Sequence, residues 1–179
     1  LLMYAVMRFG KSFTSMCCAK EMPISDATKG AKIVLVVSAK ADVKEEWKKT
    51  VQSADNFQEY KFLDSERLKE KNIITNTLQE GKKIAIFLTL QDLQGPEIKE
   101  KHKEVFESQI DLLIVDETHY GARAEQYGKV LKAIKYEEDV KDKYTSKKTD
   151  ADIDDYIESE VADEQIKQLK AKVRLHLSG

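Results

Sequence analysis

Proline is nearly absent from the chain, two in 179 residues, and glycine is sparse at seven. That scarcity excludes collagen-like and low-complexity architectures and leaves no evident flexible linker. Cysteine is as rare: Cys17 and Cys18 are the only two, and they are adjacent. Neighbours in sequence make a poor disulfide and cannot supply a four-ligand metal site. Both therefore read as reduced, packed thiols of a cytoplasmic protein. No apolar run approaches the ~18 residues of a membrane span. The opening "LLMYAVM" is too short for one, and it lacks the basic flank and cleavage site of a signal peptide. Internal repeats are missing as well.

What is present has the balance of a globular protein, 35% charged and 41% hydrophobic. At this length the chain can bury one good core, and two would be cramped. The net charge of −2 conceals an asymmetry. Residues 136–165 hold 12 acidic and 4 basic side chains, so the remainder carries 26 Lys and Arg against 20 Asp and Glu. A mildly basic body with one acidic segment suits a polyanion binder, although many surfaces have that balance without binding nucleic acid. The acidic segment itself reads as a solvated arm, with a helix near Asp152 to Ala171. A partner-docking or autoinhibitory role is the alternative.

Five apolar, β-branched runs punctuate the sequence: "LLMYAV", "KIVLVVS", "KIAIFLTL", "IDLLIVD" and "KVRLHLS". Continuous rather than alternating apolar runs indicate strands covered on both faces, as in a parallel sheet. Between them the pattern predicts helices over Ser12–Met22, Val43–Ser53, Ser65–Gln79, Glu97–Ser108 and Arg123–Lys135. Asp64 or Ser65 would cap the third, and Pro96 suits the first turn of the fourth. Alternation at this spacing predicts an α/β doubly wound domain, with ligands at the carboxyl ends of the strands. The residues with chemistry to offer cluster at those ends.

The first cluster is "AVMRFGKSF", residues 5–13. It ends in Gly-Lys-Ser like a phosphate-binding loop, with Ala5 where the first glycine of such a loop stands. The tripeptide alone is weak, expected by chance in about one chain of this length in ten. Following a strand and preceding a helix gives it weight. Amides from Phe9 to Ser12 would cradle phosphate oxygens at the helix N-terminus, with Arg8 and Phe13 flanking them. Lys11 would reach the β- and γ-phosphates, and the Ser12 hydroxyl would ligate Mg²⁺. The competing possibility is an ordinary helix start with a solvated lysine. The second cluster is "LLIVDETHYG", where an apolar strand runs into Asp116 and Glu117. Two adjacent carboxylates there need a compensating cation. Asp116 is placed to bind Mg²⁺, directly or through water, and Glu117 to orient and deprotonate an attacking water. No clustered His or Cys supports His119 as a metal ligand.

These stretches, with "LHLSG" at residues 175–179, resemble motifs I, II and III of superfamily two helicases and translocases of the D-E-x-H type. "MRFGKSFT", "VDETHYGARAEQYGKVL" and "KVRLHLSG" resemble in particular the helicase regions of restriction-type DNA-processing proteins. The resemblance implies that residues 1–179 are the first of two RecA-like ATPase domains, truncated at both ends, with an acidic insertion at about 136–165. It implies a P-loop NTPase fold, a mostly parallel central sheet with helices on both faces, and ATP and Mg²⁺ as cofactors. His119, Ser178 and Gly179 would couple nucleotide state to DNA grip. Ser38, Ala39 and Lys40 stand where motif Ia does, and would touch a nucleic-acid backbone; Thr89 and Gln91 are weaker candidates for the same surface. A helix cap and an ordinary turn are the bland alternatives at these two places. Trp47 reads as core rather than a base-stacking platform. The implied partners are DNA, a second RecA-like domain carrying an arginine finger, and nuclease or methylase modules. Without that domain, the resemblance predicts weak nucleotide binding and almost no hydrolysis. An ATP-dependent switch or scaffold, or an RNA rather than a DNA track, are the alternatives for function.

Overall fold

The computed structural model describes residues 2–4, 10–25, 28–93, 102–116 and 166–178. Its centre is strand β4, Ile33–Ser38, in which all six residues are buried. A fully buried branched side chain contributes roughly 1.5–3 kcal/mol, so "IVLVVS" is stable only between two apolar layers. It pairs in parallel with β6, Lys83–Thr89, on one side and with β7, Ile110–Asp116, on the other. Beyond β7 lies β8, Ala171–Ser178, and beyond that β1, Leu2–Tyr4. Beyond β6 lies β5, Tyr60–Asp64, which gives the order β1-β8-β7-β4-β6-β5 with every pairing parallel.

The period-two alternation of each strand divides the core into two layers. Val34, Val36, Ala85, Phe87, Leu112, Ile114, Leu175 and Leu177 face helices α1 (Lys11–Glu21) and α2 (Lys44–Ser53), which contribute Met16, Ala19, Trp47 and Val51. Ile33, Leu35, Val37, Ile84, Ile86, Leu88 and Leu113 face α3 (Ile73–Gln79) and α4 (Lys103–Glu107), together with Ile166 and Leu169. Helices therefore cover both faces, as the apolar runs require. No helix among the described residues is long and apolar enough to cross a membrane.

Three elements depart from the sequence expectation. β5 is a sixth strand at an edge of the described sheet; "YKFLD" has no long apolar run because it pairs with β6 alone. Tyr60 and Phe62 face the first layer, and the Tyr60 hydroxyl donates to the Ala31 carbonyl at 2.8 Å. Burial, then the nearby Glu59 and Asp111 charges, push its phenol well above the ordinary range. A small antiparallel ribbon, β2 (Pro23–Ser25) with β3 (Thr28–Lys29), follows α1 where no strand was expected.

The helix expected over Ser65–Gln79 is broken. Asp64 accepts from the Arg67 amide at 3.1 Å and caps a 3-10 turn at Arg67–Lys69. Asn72 then adopts a left-handed φ of 57° before α3 begins at Ile73. The first half of that stretch offers Leu68 alone to the core, too little apolar surface to hold a helix there. The start of α3 is capped from a distance instead: the Glu104 carboxylate accepts from the Ile74 and Thr75 amides at 3.2 and 2.8 Å. Of the helix expected over Glu97–Ser108, residues 103–107 are described as helical. The helix expected near Asp152 to Ala171 is seen at 166–168, and Ala171 already belongs to β8. The acidic segment at 136–165 and the helix expected at Arg123–Lys135 lie outside the described residues.

Candidate functional site

All strands end on the same side of a parallel sheet, so their following residues converge there. α1 starts at that edge. Gly10 precedes it with φ 81° and ψ 39°, a left-handed conformation that glycine adopts at no steric cost. A Cβ there would meet nothing within 4 Å, so backbone conformation rather than space favours glycine. The Thr14 amide donates to the Gly10 carbonyl at 2.9 Å, closing the first turn. Gly10 has no side chain to cap the helix, and the first turn carries no acidic residue. This helix start therefore keeps its positive dipole end uncompensated by a carboxylate of its own.

Lys11, the first residue of α1, faces the last residue of β7. Its Nζ lies 3.9 Å from Asp116 Oδ1, and the lysine side chain is only 16% exposed. Asp116 is buried, and its Oδ2 accepts a long hydrogen bond from Trp47 Nε1 at 3.5 Å. Trp47 is 2% exposed and belongs to the core, as the sequence suggests, but its indole edge also reaches the site. Ser12 is 4% exposed. Its hydroxyl donates to Glu46 Oε1 at 3.1 Å and contacts Thr50 Oγ1 at 3.0 Å. Phe13 is 43% exposed, with its ring tilted at 60° against Phe57 and centroids 5.3 Å apart.

The motif Ia residues join the same edge. Ser38 ends β4 and pairs in register with Thr89 on one side and Asp116 on the other. Ser38 is buried, and its Oγ accepts from the Lys40 amide at 3.2 Å. The Thr89 hydroxyl donates to Asp92 Oδ2 at 2.8 Å and accepts from the Asp92 amide at 3.1 Å, a reciprocal turn. Ala39 is half-buried, whereas Lys40 and Gln91 are exposed. Ser178 closes β8 opposite Tyr4. Arg8, Phe9, Glu117, His119 and Gly179 lie outside the described residues.

Sequence reasoning missed Glu46 and Thr50. Their signal was available: in "KEEWKKT" they sit four apart, and Trp47 is three before Thr50, so all three share one side of α2. Neither residue belongs to a recognisable motif, and only packing of α2 on α1 brings them to Ser12.

A glycine-led helix start at the carboxyl edge of a parallel sheet, its lysine facing a strand-end aspartate, is the arrangement of P-loop nucleotide-binding domains. Residues 9–141 match the model of the family described as type III restriction enzyme, res subunit. The match covers well over half of the chain, and the chain belongs to that family. It is thus a helicase-type RecA-like domain, a helicase-like ATP-binding motor domain of restriction-type enzymes. No curated protein and no solved structure matches it.

Proposed function

We propose that the domain binds ATP with Mg²⁺ at the head of α1 and hydrolyses it to drive movement along DNA. The observation that carries this reading is the approach of Lys11 to Asp116, 3.9 Å between residues of two motifs far apart in sequence. An isolated Gly-Lys-Ser would not require a carboxylate opposite its lysine. The donor set fits the metal: Ser12 and Asp116 offer hard oxygens, and Mg²⁺ uses one or two of these plus substrate phosphates.

When bound, Mg²⁺ would neutralise charge developing on the phosphates. Lys11 would exchange its contact with Asp116 for phosphate oxygens, leaving the carboxylate to the metal. Amides at the start of α1 would hold the phosphates at the positive end of the helix dipole. Glu117 would take the proton of the attacking water, and His119, Ser178 and Gly179 would report the outcome to the track. Ser38, Ala39, Lys40, Thr89 and Gln91 belong in this scheme to the nucleic-acid face. The exposed Lys40 would supply its phosphate contact, sequence-independent and sensitive to salt. The register pairing of Ser38 with Asp116 supports such coupling, since the two ends share one rung.

ATP hydrolysis by the full-length protein, second RecA-like domain included, is to be measured without nucleic acid and with single-stranded DNA, duplex DNA and RNA, beside Lys11→Ala and Glu117→Gln. Stimulation by DNA, lost in both variants by about 100-fold or more, is expected. Tight ATP binding without turnover in any arm would instead indicate a switch or scaffold, and stimulation by RNA alone would change the track. ATP binding and turnover unaltered by Lys11→Ala would overturn the site.

A further inference from the structure

One turn of α2 reaches both oxygen ligands named above: Trp47 touches Asp116, while Glu46 and Thr50 hold Ser12. We infer that Glu46 and Thr50 are positioning residues that aim the Ser12 hydroxyl oxygen at the metal, an inference that rests on the Mg²⁺–ATP reading of the site. A serine hydroxyl has one proton and two lone pairs. Ser12 donates its proton to Glu46 Oε1 at 3.1 Å. The 3.0 Å contact with Thr50 must then be donated by the threonine, and it occupies one lone pair. A single lone pair remains, and the tetrahedral geometry of the oxygen sets its direction through the other three substituents.

Two consequences follow for a hard divalent cation. Without these partners, the serine would turn among its χ1 rotamers and present its oxygen to the metal only part of the time. With them, the ligand is oriented before the metal arrives, and the anionic acceptor makes the hydroxyl oxygen a better donor. At 4% exposure, Ser12 has little water to compete for the bond with Glu46. Glu46 itself is exposed and supports no core packing, so its substitution tests the hydroxyl contact rather than the fold.

A fluorescent N-methylanthraniloyl-ATP is to be titrated into the full chain across a range of Mg²⁺ concentrations, and separately in EDTA. Glu46→Ala is expected to raise the Mg²⁺ concentration for half-maximal binding by about 10-fold, the usual scale for losing an outer partner of a metal ligand. Thr50→Val should show a smaller rise, Thr50→Ser should restore the wild-type value, and affinity in EDTA should not change in any variant. An unaltered Mg²⁺ requirement in Glu46→Ala overturns the inference. So does a lowered one, which would make Glu46 a competitor for the hydroxyl, and so does an equal loss with and without Mg²⁺, which would reduce it to structural support. If the wild-type chain binds nucleotide with no Mg²⁺ dependence, the underlying reading fails too. A wild-type dependence that Glu46→Ala leaves intact sinks the inference alone.

Discussion

Strand β7 carries an aspartate near each end, and the structure uses them differently. Asp111, near the start, is buried; its Oδ2 accepts from the Lys32 and Ile33 amides at 2.8 and 3.2 Å. Its Oδ1 takes the Lys172 ammonium at 2.7 Å. It thereby ties the beginnings of β4, β7 and β8 together. Asp116, at the other end, is equally buried, but its contacts to Trp47 and Lys11 are long, 3.5 and 3.9 Å. Short, well-aligned bonds strengthen a buried carboxylate's hold on its place, and long ones contribute little. One end of the strand is a clasp, and the other is where the proposed Mg²⁺ site lies.

The largest expected effect would test that contrast directly. Asp111→Ala removes the acceptor of two backbone donors, each costing about 1–3 kcal/mol when buried and unpaired. Urea denaturation should therefore show a loss of about 2–4 kcal/mol, with nucleotide affinity of the folded fraction little changed. Asp116→Asn should do the reverse: a stability change below about 1 kcal/mol, with Mg²⁺-dependent nucleotide binding weakened by about 10-fold or more. Equal destabilisation by the two variants would break the distinction.

A smaller effect sharpens it on the opposite face of the sheet. Glu104 is, like Asp111, a carboxylate occupied by backbone donors, since it caps α3 across 30 residues of sequence and also accepts from the Thr75 hydroxyl at 2.9 Å. Glu104→Ala should cost about 1 kcal/mol, the usual loss for a helix cap. Hydrogen exchange should localise that loss to Ile73–Gln79. An effect spread over the whole sheet would show that the carboxylate does more than cap.

The smallest effect lies at the site end. His176 of β8 pairs with Val115, beside Asp116. Burial, and then the positive charge of Arg174, hold its imidazole below the ordinary 6.5. The unfolded chain therefore takes up a proton near pH 6.5 that the folded chain resists. Its contribution to stability is complete above that pH and is lost as pH falls toward the lower folded value. Thermal melts from pH 7.5 to 5 should show a modest extra decline that His176→Asn removes. A decline of the same size in the variant would assign it to the carboxylates.

Much of this architecture could be read from the residues alone. Five of the six sheet strands were legible as apolar runs, and β4, β6 and β7 most plainly, because a strand buried on both faces has few polar positions to interrupt it. The sixth, "YKFLD", stayed hidden because an edge strand is short and keeps its lysine out. Gly10, Lys11, Ser12 and Asp116 were legible as candidates because their chemistry needs those residue types at a strand end. Trp47 was legible as core because a large aromatic at helical spacing from Val51 buries more area than any alternative role would use.

Local pattern thus determined the alternation of strand and helix, the two-layered core and the candidate residues for phosphate binding. Only tertiary structure decided that Lys11 faces Asp116, that Glu104 caps α3, and that Glu46 and Thr50 close on Ser12. The physical reason is range. Hydrophobic period and backbone preference act over a few residues and leave a mark in the sequence wherever they act. A hydrogen bond between two helices depends on how both pack against a common sheet, and no short stretch of either helix records its partner.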